Sequence, residues 1–516
     1  MQNNIYAIDY TTNILFKAIP NTELLEIIEN SIELLYSFPE ILQKINADQD
    51  RHAKEKKKLR LADKEYYQNQ QRCLSGFSIS RGAYDVDDLD LLPGRERMKP
   101  QTVFVFMMVR GYFGSVTNQE GIERMIDSRT LSLILQGWNI KMPGITTILE
   151  NLNCISNDTR EYILDCQVKQ IINAGLDSFK ELIVDSTHVE ANTGWPTDSK
   201  ILFALLHRAF HYSQKLSIFG LNNFKPHWVP TWEKKLKKMI YKLNMTKGKK
   251  GSKSKIKKYY RQILETAQKI HDYLISEMER TESFVYQVNI RPSARVRLKK
   301  VWNLIKKDIL DSAQVMYYTR DRIFNEVILK ASEKILSISD RSAAFIKKGN
   351  RNPVIGYKPQ IARSEKGFIP GILVPEGNTN DSKELIPIVE KIIKRTNVIP
   401  RIVSTDDGYA SEENRQKLLG KGVKAISISG AKGKKITPVR SWNSKAYQEA
   451  RRERSAVESV IFTVKHLYEF GDVKRRGIEE VTAELLEKVI VYNFARVQKI
   501  EKAKQANPDI KNKRAS

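Results

Sequence analysis

Three acidic residues hold the chemistry that this sequence offers. Asp185 closes the short apolar run that begins at Glu181 (ELIVD), and Asp406 follows a strand-like segment from Val398 to Thr405. Runs of that length and composition read as buried strands, so each aspartate stands at a strand end. Glu458 lies in a charged segment, Tyr447 to His466, that reads as one helix. Arg454 stands four residues before Glu458, Arg451 seven before and Lys465 seven after, which puts all four on one face of such a helix. Three carboxylates brought together make an oxygen-rich site for two hard cations such as Mg2+, with Mn2+ as a substitute. A pair of such ions, about 3.5–4 Å apart, activates a water or a 3′-OH and stabilises the leaving oxygen of a phosphodiester. Cations beside the glutamate would receive the phosphate backbone.

The rest of the composition agrees with a polyanionic partner. The 516 residues hold 87 Lys and Arg against 60 Asp and Glu, a net charge of +27 with a pI near 9.6. An excess that large points to nucleic acid. Hydrophobic residues at 41% are enough for real cores, which argues against wholesale disorder. The length predicts roughly two to four domains. Cys73, Cys154 and Cys166 are too few and too scattered for a disulfide framework or a zinc site, and suit a reducing compartment. No basic-then-apolar leader opens the sequence and no apolar run approaches ~20 residues. A secreted mini-protein, a transporter and a disulfide scaffold are therefore excluded, and a cytoplasmic location with no membrane partner is expected.

The elements that must position the carboxylates follow from periodicity. Residues 1–175 read as a helical region for DNA binding and dimerisation, with one helix over Leu24 to Leu42 opened by Pro20, Asn21 and Thr22, and a solvated basic face at Arg51 to Arg60. A helix-turn-helix is sought around Asn118 to Leu135 or Ile145 to Ile155. Residues 191–339 read as a helical insertion. In it Ile256, Tyr260, Ile263, Ala267, Ile270 and Leu274 form an alternating seam, a second stripe runs from Trp302 to Val327, and the break is at Arg291-Pro292-Ser293. Seven lysines between Lys247 and Lys258, with no acid among them, predict a flexible basic loop suited to phosphate, with Lys249, Lys250 and Lys253 as DNA contacts. Val354 to Ile361 and Phe368 to Val374 read as a hairpin turned at Glu365 to Gly367. A helix at Ser382 to Arg395, the Asp406 strand, a helix at Ser411 to Leu419 and a strand at Val423 to Ser429 follow. The tail from Lys499 to Ser516 reads as disordered.

That order, with the helical hairpin between the first strand and the second, matches a ribonuclease H-like mixed sheet, α/β within a chain that is α+β overall. The catalytic domain is then expected at 176–190 and 340–480, and a C-terminal helix and basic tail at 481–516. In such a fold the Asp185, Asp406 and Glu458 positions converge at one sheet edge. Five motifs in the right order carry a further likeness. They are Asp185 to Asp198 (DSTHVEANTGWPTD), Gly356-Tyr-Lys358, Gly377 to Asp381 (GNTND), Thr405 to Tyr409 (TDDGY) with Ser411 to Asn414, and Arg454 with Glu458 and Lys465. Together they resemble the DDE transposases of bacterial insertion sequences, closest to the ISNCY-type group, over nearly the whole chain.

The resemblance implies catalysis and metal binding by Asp185, Asp406 and Glu458, using two Mg2+. It implies DNA contact by Arg451, Arg454, Lys465 and Lys358, and action on terminal inverted repeats and target DNA as a homodimer or larger synaptic complex. Where the family often has a Tyr three residues before the arginine, this chain has Arg451, with Tyr447 a turn further back. Asp407 adjoins Asp406, which is preferred because one residue then separates it from Gly408-Tyr409. Asp198 and Asp381 read as helix caps, Trp195 and Trp442 as core residues, and the His207 and His211 pair lacks a third metal ligand. A nuclease without strand transfer, and a non-enzymatic DNA-binding relic, are the alternative readings.

Overall fold

The strand β1 (Glu181–Ser186) is buried along all but its first residue, as its apolar run requires. It lies at the centre of a five-stranded sheet in a computed structural model that describes residues 23–74, 97–114, 119–221, 228–347 and 352–506. The other strands are β5 (Gln360–Ser364), β6 (Gly371–Leu373), β7 (Ile402–Thr405) and β8 (Ala425–Ile428), and the order is β6-β5-β1-β7-β8. β5 pairs antiparallel with both β1 and β6, whereas β7 runs parallel to β1 and β8. This is the ribonuclease H-like arrangement, and with the helical N-terminal region the architecture is α+β. The start signal expected at Pro20 to Thr22 and the end of the tail lie outside the described residues, as does Asn118, where one helix-turn-helix candidate begins.

The chain divides into two compact units, one of residues 1–51, 96–192 and 342–516 and one of residues 52–95 and 193–341. The first unit holds the sheet. It also holds the helices α1 (Glu23–Ser37), the start of α2 (Glu40–Leu74), α3 (Pro100–Tyr112), α4 (Gln119–Ile126), α5 (Arg129–Gly137), α6 (Ile145–Asn153) and α7 (Asn157–Asn173). The helix expected over Leu24 to Leu42 is two helices, because Pro39 interrupts the backbone hydrogen bonding between them. The basic run Arg51 to Arg60 is the exposed face of α2, as expected.

The second unit is helical: α8 (Asp198–Lys215), α9 (Trp228–Thr246), α10 (Lys253–Gln287) and α11 (Pro292–Phe324). The seam of α10 is buried against Leu202, Leu205 and Ala209 of α8 and Trp302, Ile305 and Ile309 of α11, so its surface is spent inside the unit. Val327, the expected end of the second stripe, lies beyond α11 and is 42% exposed. The basic loop is shorter than expected: α10 begins at Lys253, leaving only residues 247–252 between helices, and Lys253 and Lys257 both pair with Glu326. Asp198 is not the cap of α8; Thr197 is, accepting from the Lys200 N–H, while Asp198 pairs with Arg322 at 2.6 Å.

The expected long strand from Val354 to Ile361 is broken. β4 (Val354–Tyr357) joins β2 (Val189–Glu190) and β3 (Ala344–Ile346) in a small second sheet, and the chain enters the large sheet only at Gln360. Pro359 marks the switch, since it has no N–H to continue a ladder. Gly356 pairs with Glu190 there, and a Cβ on it would sit 1.8 Å from the Val189 carbonyl oxygen. Gly356→Ala should therefore force the small sheet apart and lower the unfolding midpoint measurably in a thermal melt, whereas Ala substitution at the open position Gly194 should not.

The helices that close the large sheet are α12 (Asp381–Thr396), α13 (Glu412–Gly420), α14 (Ala431–Ile436), α15 (Val439–Trp442), α16 (Lys445–Glu453), α17 (Ala456–Leu467) and α18 (Ile478–Ala506). Leu385, Ile388 and Ile392 of α12 pack with Leu182, Val184, Val403 and Ile426 of the strands. Helix α18 runs to Ala506, so Lys499 to Ala506 are ordered rather than disordered as expected; Lys502 pairs with Glu26 of α1.

Candidate active site

Asp185 and Asp406 meet where β1 and β7 end. The parallel register pairs Leu182 with Val403 and Ile183 with Ser404, and its continuation sets Asp185 beside Asp406. Asp185 is only 6% exposed, and its Oδ1 accepts the Ser186 N–H at 2.7 Å. Asp406 caps a short 3-10 turn over Asp407–Tyr409, its Oδ1 accepting the Gly408 N–H at 2.9 Å. Asp407 points elsewhere: its Oδ1 accepts the Gly433 N–H at 2.8 Å and so ties the turn to α14. That division supports Asp406 over its neighbour. Asp407→Asn should keep this hydrogen bond and the stability of wild type in a urea titration, whereas Asp407→Ala should cost about 1–2 kcal/mol.

Between the two strand ends lies a buried polar network that sequence reasoning missed. Tyr409 is fully buried, and its hydroxyl donates to Gln360 Oε1. Gln360, also fully buried, donates from Nε2 to Asp381 Oδ1 at 3.0 Å, and stands opposite Ser186 in the β1–β5 register. Burial, and then the Asp381, Asp185 and Asp406 carboxylates, hold the Tyr409 phenol far above its usual range, so it remains a donor. Only one signal was available in the sequence: a glutamine just before the apolar pair Ile361 and Ala362.

Asp381 itself is not the cap of α12. Asn380 is, accepting from the Ser382 N–H, and Asp381 instead pairs with Lys358 at 2.9 Å. Lys358, expected at DNA, is thus held by a carboxylate, with a second bond to the Thr379 carbonyl at 3.2 Å.

The glutamate segment departs most from expectation. It is two helices, α16 and α17, which part at Arg454 and Ser455; both residues keep helical dihedral angles, Arg451 lies on α16, and Glu458 and Lys465 share one face of α17. Helix α16 is pinned to β7 and β8: Tyr447 exchanges hydrogen bonds with both the N–H and the carbonyl of Ile428, and the Ala450 carbonyl accepts from Ser404. Helix α17 packs against β1, β5 and α18. Glu458 is exposed and pairs with Arg454 at 2.9 Å, and Arg451 stacks over the Trp442 ring at 5.0 Å. Lys465, two turns along α17 from Glu458, donates to the His188 carbonyl at 2.8 Å, which brings that face of the helix to the segment just after Asp185. Neither tryptophan is a core residue: Trp195 is 53% exposed and Trp442 half-buried. Lys249 and Lys250 are exposed on the second unit. His207 pairs with Glu233.

Residues 337–494 match the family described as the transposase DDE domain.

The chain carries a transposase DDE domain.

The match includes Lys358, Asp381, Asp406 and Glu458 and begins after Asp185, which joins them through the pairing of β1 with β7. It bears out the resemblance to DDE transposases without selecting the ISNCY-type group. Comparisons with curated proteins and with solved structures give no match. The family of the matched domain implies DNA as partner, and among the described residues no helix is long and apolar enough to cross a membrane.

The donor set suits a hard divalent cation in part. Asp185 and Asp406 offer oxygen alone, and Mg2+ is commonly held by one or two carboxylates with the remaining positions left to water and substrate phosphates. Among the described residues no three His, Cys, Asp or Glu side chains cluster closely enough to hold a metal, so Glu458 does not close on the two aspartates in this arrangement.

Proposed function

We propose that this protein is an insertion-sequence transposase that binds the terminal inverted repeats of its element and cleaves and rejoins DNA with Mg2+. The observation that carries the reading is the placement of Asp185 and Asp406 at the ends of adjacent parallel strands in a chain with a DDE domain. Bound there, Mg2+ would activate the attacking water or 3′-OH and offset charge on the leaving oxygen. Asp185 and Asp406 hold the cation, and the Ser186 and Gly408 N–H groups orient their carboxylates. Glu458 completes the site when DNA phosphate takes Arg454 from it, since a phosphate is a strong partner for a guanidinium. Arg451, Arg454, Lys465, Lys249, Lys250 and Lys253 contact the backbone, and the chain works as a homodimer or larger synaptic complex at the bacterial nucleoid.

The test uses the DNA that flanks the gene. Inverted repeats found there are built into a linear substrate and incubated with Mg2+ and wild type, Asp185→Asn or Glu458→Gln, and breaks are mapped on both strands. A supercoiled target plasmid then reports joining by the freed 3′-OH. Breaks at the repeat ends and joined products from wild type alone are the expected result. Breaks without joining would make the protein a nuclease. Binding without breaks, or breaks indifferent to both substitutions, would overturn the assignment.

A further inference from the structure

Resting on that reading, we infer that Asp381 is a positioning residue that keeps the Lys358 ammonium off the metal-binding aspartates. Its two carboxylate oxygens face different neighbours. Oδ1 holds Lys358 Nζ at 2.9 Å and the Gln360 amide at 3.0 Å. Oδ2 approaches a point beside Gly408, 3.3 Å from where a Cβ would stand, and Asp406 Oδ1 lies 3.0 Å from that same point. The ammonium and Asp406 thus flank a single carboxylate.

The lysine and the aspartate are both nearly buried, with 13% and 12% of their side chains exposed, so the pair is little screened by water. A lysine is a compact charge on a flexible stem. Asp381, Asp185 and Asp406 all act on the one Tyr409 phenol, so an ammonium freed from Asp381 would be drawn to the other two carboxylates, and a divalent cation would have to displace it. The framework around Asp381 is stiff. Asn380 caps α12, Gln360 is locked between Asp381 and the Tyr409 hydroxyl, and Lys358 is also tied to the Thr379 carbonyl. The pair therefore sets the charge beside the strand ends, in the way that outer partners tune metal ligands.

Mn2+ binding to the full chain without DNA tests this, with free Mn2+ counted by electron paramagnetic resonance. Asp381→Asn, which keeps an acceptor for Gln360, should weaken Mn2+ binding by roughly 10- to 100-fold. Lys358→Met alone should leave binding unchanged or tighter. The double variant, Asp381→Asn with Lys358→Met, should return toward wild type, because the competitor is gone. Three results would overturn the inference: Asp381→Asn binding like wild type, Lys358→Met binding more weakly, or a double variant as weak as Asp381→Asn, which would make Asp381 itself a ligand. Asp185→Asn separates the two proposals. If wild type binds Mn2+ and Asp185→Asn does not, the metal reading stands whatever Asp381 does; if wild type binds none, both fall.

Discussion

Asp185→Asn should lose cleavage at the element ends by at least about 10^3-fold while remaining as stable as wild type. The substitution keeps the shape of the side chain and an oxygen to accept the Ser186 N–H. It removes one of two like charges, Asp185 buried and Asp406 half-buried, at the ends of β1 and β7. Repulsion within the folded state falls, so the melting temperature should hold or rise. The cation site loses half of its aspartate charge, and metal assistance worth several kcal/mol goes with it. At about 1.4 kcal/mol per factor of ten, that is three or more orders of magnitude. Binding to the same DNA without Mg2+ should be unchanged or slightly tighter, since no cationic contact is touched. Cleavage within tenfold of wild type, with the protein folded, would remove Asp185 from the site. A loss of activity that merely tracked a fall in melting temperature would make it structural.

Glu487→Gln should cost about 3–5 kcal/mol of stability, a large part of what holds an ordinary domain folded. Glu487 sits on α18 with no exposed surface and is surrounded by arginines from three other places in the chain. Arg110 of α3 reaches both of its oxygens, Arg160 of α7 binds at 2.9 Å and Arg475 at 2.6 Å. All three guanidinium groups are at most 4% exposed. A neutral glutamine would leave them buried without their shared counter-charge, and a buried charge without a partner costs far more than the pair itself contributes. Urea unfolding is the measurement. Adding Arg160→Gln should then return part of the loss, because one orphaned cation is removed; no recovery would show that packing, not charge, is the cause.

The same carboxylate sets a pH dependence. Burial pushes it up, but Arg110, Arg475 and Arg160 outweigh burial and hold it well below its usual 4.5. Its contribution is present in full above the unfolded value and fades as the pH falls below about 4.5, toward the depressed folded value. Wild type should therefore lose stability more steeply below pH 4.5 than Glu487→Gln does.

Much of this was legible locally. Asp185 ends an apolar run and Asp406 follows the β-branched pair Ile402 and Val403, so the strands and their terminal carboxylates follow from residue order alone. Helix α12 was equally plain, with Asn380 before it, acids in its first turn and bases in its last to suit the helix dipole. The excess of cations named the class of partner. Other features depend on contacts between residues far apart in sequence. Nothing between Tyr447 and His466 breaks a helix, there being neither Pro nor Gly. The break arises because Tyr447 and Ala450 are bound to β7 and β8 while Val457, Val460 and Val464 are buried on another part of the unit, and one straight rod does not serve both. Lys358 looked like a phosphate contact because its partner Asp381 is distant in the chain, and the tail looked disordered because its helix is supported by α1. Residue types and periodicity specified the strands, the carboxylates and the chemistry open to them. Which charges face each other, and therefore which remain available to a metal or to DNA, was decided only when the sheet closed, because ion pairing depends on distance in space and residue order does not encode it.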